Sequence, residues 1–249
     1  MGTTATTGPT LVAVGHGTRD PEGAAAIGRL LDRVRVLRPG LRVEIGCLDL
    51  LRPTLTEVLA GLRGTAVLVP LLLGAGYHVH TDIPDRLAHA PHLRARVAGA
   101  LGPDPLLAAA LADRLTESGW PTAGPSAGSP PVSLPRGRDA VVLAAAGSSD
   151  PRANAGTERM ASLLASRLGR PVVPSYLSAA SPSPAQAVAD LRERGFRRVA
   201  VARYLIAPGH FARSAGRSGG CVTSPPLGAH DDVARLVLRR YDDAGGTPR

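Results

Sequence analysis

The sequence predicts an α/β fold built twice, as two tandem units that are each a small parallel sheet flanked by helices and are related by pseudo-two-fold symmetry. Three observations carry this. Leu11-Val-Ala-Val14, Ala66-Val-Leu-Val-Pro-Leu-Leu-Leu73 and Ala140-Val-Val-Leu-Ala-Ala-Ala146 are apolar without polar alternation, as in strands covered on both faces. Segments with apolar residues at three- and four-residue spacing separate them, and strands alternating with helices imply parallel sheets. The motifs that follow the strands also recur in the same order in both halves.

In chain order, Gly15-His16-Gly17 follows the first strand, and Asp20-Pro21 reads as the cap and first residue of a helix. His16 therefore stands at the carboxyl edge of a parallel sheet, where ligands collect, and neither neighbour has a Cβ to block a flat molecule. Ile27, Leu30, Leu31, Val34 and Leu37 give the helix its buried stripe, and Pro39-Gly40 ends it. A second strand spans 42–48. Asp49 follows, and Thr54-Leu-Thr-Glu57 has the form of a capping box. The strand at 66–73 ends in a second histidine-bearing loop with His78 and His80. A short helix, a weak strand at 96–101 and a helix at 105–118 complete the first half.

Residues 120–138, rich in Pro, Gly and Ser, read as a connection. The second half then gives a strand from 140, a helix at 160–168, a strand at 172–177, a helix at 184–194, a strand at 199–206 and a helix at 231–241. The expected domains are 9–119, carrying the site, and 139–243, with a degenerate copy of it.

The repeat serves as an internal control. Gly17, Asp20, Pro21 and Pro53 recur as Gly147, Asp150, Pro151 and Pro182. Residues 70–78 align with 203–211 without a gap, so that Gly76 falls on Gly209. At the three loop positions able to do chemistry the second half differs: His16 corresponds to Ala146, Asp49 to Ser178 and His78 to Phe211. Packing residues have no reason to be lost together while the scaffold around them is kept. A working site in the first half explains the pattern. His210, one place short of the His78 position, is a weaker candidate.

Two neutral imidazoles and a carboxylate at neighbouring strand ends suit a borderline divalent ion such as Fe²⁺, Co²⁺ or Ni²⁺. With three protein ligands at most, positions remain open for other nitrogen donors, unlike a closed structural zinc site. Either histidine can also accept a proton.

Composition narrows the alternatives. The 29 basic residues, against 20 acidic ones, are all arginine and are scattered, and aromatic residues make up only 3%. That favours arginine-rich codon usage over a nucleic-acid face, while guanidinium forks still match carboxylates. Two cysteines, Cys47 and Cys221, without a Cys-x-x-Cys, offer neither a disulfide framework nor a cluster site. No apolar run approaches a membrane span and the N-terminus lacks a secretion signal, so a cytoplasmic protein is expected. A flavodoxin-like nucleotide site is disfavoured, because Asp20 would repel phosphate at the helix start.

Three segments together, Val14-Gly-His-Gly-Thr-Arg-Asp-Pro21, Cys47-Leu-Asp-Leu-Leu-Arg-Pro-Thr54 and Val69-Pro-Leu-Leu-Leu-Gly-Ala-Gly-Tyr-His-Val-His-Thr-Asp-Ile-Pro84, resemble the class II chelatases of the sirohydrochlorin chelatase family in its long, tandem form. The resemblance covers nearly the whole chain. It implies two chelatase-like domains that insert Fe²⁺ (siroheme synthesis) or Co²⁺ (cobalamin synthesis) into sirohydrochlorin with release of two protons and no nucleotide hydrolysis. The divalent metal would be a substrate, with no permanently bound cofactor and with neither nucleic acid nor membrane as partner. His16 and His78 would be metal ligands and proton acceptors. Asp49 stands where the family usually has glutamate, one methylene longer, so direct coordination and a supporting hydrogen bond to a ligand are both open. Arg19, Arg52, Arg86, Arg203 and Arg213 flank the loops and are candidates to grip substrate carboxylates. His80 reads as a loop or substrate contact, and His89, His92 and His230 as surface residues. A metal- or tetrapyrrole-binding chaperone without turnover is the alternative.

Overall fold

The computed structural model describes residues 8–49, 51–121 and 139–246. Eight strands and eight helices alternate in it: β1 (Thr10–Gly15), α1 (Pro21–Leu37), β2 (Val43–Cys47), α2 (Leu55–Gly61), β3 (Thr65–Pro70), α3 (Ile83–Ala88), β4 (Arg94–Val97), α4 (Pro105–Glu117), β5 (Asp139–Ala145), α5 (Pro151–Leu168), β6 (Val172–Tyr176), α6 (Pro184–Glu193), β7 (Arg198–Tyr204), α7 (His210–Gly216), β8 (Val222–Thr223) and α8 (Asp231–Tyr241). They form two four-stranded sheets of order β2-β1-β3-β4 and β6-β5-β7-β8, with every pairing parallel. The fold class is the one expected.

The repeat extends to single hydrogen bonds. Asp20 and Asp150 cap α1 and α5 with nearly the same backbone angles, each accepting from the amide two residues on. Gly17 and Gly147 both hold positive φ, 97° and 87°. The Asp49 amide donates to the His16 carbonyl at 3.0 Å, as the Ser178 amide does to the Ala146 carbonyl at 2.9 Å. Thr54 with Glu57 and Ser183 with Gln186 close equivalent capping boxes. The Arg52–Pro53 and Ser181–Pro182 peptide bonds are both cis.

Compact packing does not follow chain order. The first unit comprises Met1–Gly102 with Gly228–Arg249, and the second Pro103–Leu227. In the first unit, Val12, Val14 and Leu68 pack with Leu55, Leu59 and Ile83 of α2 and α3. The C-terminal helix α8 lies against α1 and β3. Arg33 forms a two-pronged pair with Asp231 at 2.6 Å for each bond, Arg38 pairs with Asp242, and the Tyr241 hydroxyl donates to the Pro9 carbonyl at 2.6 Å. In the second unit α4 packs on α5 and β7, while Val142 and Val201 meet Val188 and Leu191 of α6 on the other face.

Several boundaries differ from expectation. Helix α5 begins at Pro151, nine residues before the expected 160, because the Asp150 cap and an Asn154 side chain bonded to both the amide and the carbonyl of Ser148 hold its first turn. The weak strand lies at Arg94–Val97 rather than 96–101. Helix α7 and strand β8 had no clear sequence signal. Trp120, expected to open the connection, is buried, with the guanidinium groups of Arg198 and Arg170 over its ring at 5.0 and 5.6 Å. The rest of that connection, 122–138, lies outside the described residues.

Beside Trp120, the Asp139 carboxylate accepts from Arg170 at 2.8 Å, and both side chains are over 90% buried. Removing the anion strands a buried cation. Asp139→Ala is expected to cost about 3 kcal/mol, read as a fall in Tm of roughly 6–12 °C by circular dichroism. Asp139→Leu combined with Arg170→Met should recover most of that loss.

Candidate metal and substrate site

The site belongs to the first unit. The β1 carboxyl end delivers His16, the turn after β2 delivers Asp49, and a segment beyond β3 delivers His78. Because β1 is central and pairs with both β2 and β3, these three chain segments emerge side by side at one sheet edge. The sequence-predicted trio is brought together: the His16 and His78 ring centroids are 5.0 Å apart, tilted by 51°, and Asp49 Oδ2 is 3.8 Å from His16 Nδ1. With metal–nitrogen bonds of about 2.1 Å, two imidazoles sharing one ion have centroids about 5 Å apart, so the spacing suits a common ion. Asp49 is in ion-pair range of His16 but beyond hydrogen-bond length. The side chains of His16 and Asp49 are about half exposed, 53% and 50%, and that of His78 is 35% exposed. The cluster is open to solvent. Among the described residues no group of three or more His, Cys, Asp or Glu side chains is arranged to hold a metal ion by itself.

The segment after β3 departs from expectation. Residues His78–Asp82 form a single π turn leading directly into α3, not an extended loop. His80 is exposed, and Val79 is buried. The turn also reveals a residue that sequence reading missed. His78 Nδ1 lies 3.0 Å from Asp82 Oδ2, and Arg86 Nε donates to Asp82 Oδ1 at 2.6 Å. Burial pushes the Asp82 carboxyl up, but the hydrogen bonds and charges of Arg86 and His78 outweigh it, and its pKa is held below the usual carboxylate value. His-x-x-x-Asp-x-x-x-Arg at helical spacing was the available signal. Gly74, Gly76 and Pro84 obscured it by suggesting a loop.

The five arginines fall into three settings. Arg19 is exposed beyond the His16 loop, and Arg52, 85% exposed, pairs with Glu57 at 2.9 Å. Arg86 is engaged by Asp82. Arg203 and Arg213 belong to the second unit. Burial lowers the Arg203 pKa, and its Nε is buried without a hydrogen-bond partner among the described residues. Arg213 is exposed on α7. Tyr77 stands edge-on to His78 at 5.9 Å and is 65% exposed. Cys47 is buried, which pushes its thiol pKa up, as for a small core residue. His92 accepts from or donates to nothing in the site but lies 3.2 Å from the Leu59 carbonyl, and His230 caps α8. His89 lies 2.8 Å from the Asp85 carbonyl.

Comparison with known proteins follows the same division into two halves. The CbiX family model matches residues 10–118 and again 140–244. A protein named sirohydrochlorin cobaltochelatase from Methanosarcina acetivorans is 32% identical over 82 residues, 31% of this chain and 63% of the relative. One of the same name from Methanococcoides burtonii is 31% identical over 85 residues, 32% of this chain and 65% of the relative. The chain thus spans somewhat under two thirds of the length of these relatives. Among solved structures, SirB from Bacillus subtilis with Fe³⁺ aligns with a TM-score of 0.76 at 23% identity, covering 96% of each chain. The sirohydrochlorin chelatase SirB from Bacillus subtilis subspecies spizizenii in complex with cobalt aligns at 0.74 and 20% identity, covering 97% of each. These structures share the fold.

Proposed function

The chain belongs to the CbiX family, and from that premise we propose that it is a chelatase inserting Fe²⁺ or Co²⁺ into sirohydrochlorin without nucleotide hydrolysis. The observation that carries this reading is the pairing of His16 and His78, with ring centroids 5.0 Å apart at an exposed sheet edge. Insertion replaces two pyrrole protons by one divalent ion, so it needs ligands that let go of the metal and bases that take two protons. A pair of neutral imidazoles does both. As each nitrogen gives up its share of the ion to the macrocycle, it becomes free to accept one proton, and charge balances. Few protein ligands suit a substrate ion, since a full protein coordination shell would retain it. Asp49 Oδ2, 3.8 Å from His16 Nδ1, stands at ion-pair distance beside that ring.

Tyr77 offers an exposed aromatic face beside His78 on which a flat macrocycle can rest. Arg19 and Arg52 are assigned to the substrate carboxylates nearest the ligand loops. No described helix is long and apolar enough to cross a membrane, in keeping with the proposed place of action in the cytoplasm. A metal- or tetrapyrrole-binding chaperone is the second reading, kept open by Asp49, one methylene shorter than the glutamate usual in the family.

The test is anaerobic incubation with sirohydrochlorin and Fe²⁺, Co²⁺ or Ni²⁺ in turn, following macrocycle absorbance. The expected result is multiple-turnover insertion of Fe²⁺ or Co²⁺. Binding that stops at one equivalent would replace the chelatase by the chaperone.

A further inference from the structure

We propose that Asp82, anchored by Arg86, is a positioning residue that fixes the tautomer of His78 and so presents Nε2 as its metal-binding nitrogen. The inference deepens the chelatase reading, since it takes His78 to be a ligand of the incoming ion. His78, Asp82 and Arg86 follow one another at four-residue intervals through the π turn and α3, and form one ladder: Nδ1 to Oδ2 at 3.0 Å, Nε to Oδ1 at 2.6 Å. An ionised carboxylate only accepts hydrogen bonds, and a guanidinium only donates. The direction of the ladder is therefore set from its far end. Arg86 donates to Asp82, Asp82 accepts on both oxygens, and Nδ1 of a neutral His78 must carry the ring proton. The lone pair left on the ring is that of Nε2. The Asp82 side chain is only 16% exposed and that of Arg86 28%, so water competes weakly for these bonds.

The second copy supports the assignment independently. Continuing the gap-free alignment of 70–78 with 203–211, the ladder positions become Phe211, Ala215 and Gly219. All three members are gone together there; the strand persists as β7, and α7 (His210–Gly216) covers the first two positions but ends before the third. The Asp82 counterpart, Ala215, lies within a helix that is kept, so the carboxylate is lost with the histidine and not with the helix around it.

The decisive variant is Asp82→Asn. Arg86 still requires an acceptor, so the amide oxygen must face Nε of Arg86, and the amide NH₂ then faces His78 and donates to Nδ1. That forces the proton onto Nε2, the nitrogen the metal needs. Adding Arg86→Leu removes the demand, lets the amide turn over, and restores Nδ1–H. The experiment uses the full-length metal-free protein, with Co²⁺ alone as probe. Histidine tautomers are read from ¹⁵N NMR of histidine-labelled protein, and cobalt affinity from the visible absorbance of the bound ion. Expected are Nδ1–H for His78 in the unaltered protein, Nε2–H and a roughly tenfold weaker Co²⁺ affinity in Asp82→Asn, and recovery of most of that loss in Asp82→Asn/Arg86→Leu. Asp82→Glu should retain the original tautomer. An Nε2–H His78 in the unaltered protein overturns the proposal without any variant, as does a double variant no better than the single one. Turnover is not read, so a ladder-dependent cobalt affinity in a protein that fails to insert metal would uphold the ladder and defeat the chelatase reading.

Discussion

Alanine in place of His16 or His78 is expected to lower kcat/KM for metal insertion into sirohydrochlorin by about 10²–10³-fold each. The size follows from the double duty proposed for each imidazole. Removing one takes away a ligand that holds the ion facing the macrocycle and a base for one of the two pyrrole protons. The two losses fall on the same event, so the double variant should be little worse than either single one. Asp49→Ala should cost less, about tenfold, because its carboxylate, 3.8 Å from His16 Nδ1, is proposed to support that ring. His210→Ala is the control: it sits at the start of α7 in the second unit, next to Phe211, the counterpart of His78, and should leave the rate unchanged. The anaerobic absorbance assay reads all five variants. A fully active His16→Ala protein would remove the metal site as assigned.

The largest effect on stability is expected from Gly147→Ala, about 2–5 kcal/mol. Gly147 holds φ at 87°, where a side chain costs roughly 1–2 kcal/mol. A methyl group there would also overlap the carbonyl oxygen of Ser178, which is backbone and held by its own turn. Relieving that overlap adds roughly 1–3 kcal/mol. Gly195 has nearly the same φ, 89°, with open space where its Cβ would stand. Gly195→Ala should therefore cost about 1 kcal/mol, and the difference between the two variants isolates the close approach from the backbone angle. Urea unfolding of both gives the comparison; equal midpoints would show that the loop after β5 yields freely.

Much of this fold was legible because the signals were local and duplicated. Asp20-Pro21 and Asp150-Pro151 announced two helix starts, Thr54 and Glu57 a third, and the unbroken apolar runs of β1, β3 and β5 could only be covered strands. The trio of His16, Asp49 and His78 was legible because the second copy had discarded it. Three features were hidden for physical reasons. The π turn at His78–Asp82 was masked by glycines before it and Pro84 after it, and with it went the bonding of Asp82. The first turns of α5, with Asn154 and Gly156, lack an apolar stripe and rest on capping and on the bond from Asn154 to Ser148. The destination of α4 and α8 was invisible, since a stripe of buried residues shows that a helix must be covered but not which sheet it covers.

That last feature bears on how the molecule can be taken apart. Each sheet borrows a helix encoded in the opposite half of the gene, α8 for the first and α4 for the second. A cut in the connection between halves would yield two fragments, each short of a lid it needs and each carrying the other's. Such fragments are crippled singly and complementary in pairs. Duplication here has produced a mutual dependence, in which neither half covers its own sheet without a helix from the other.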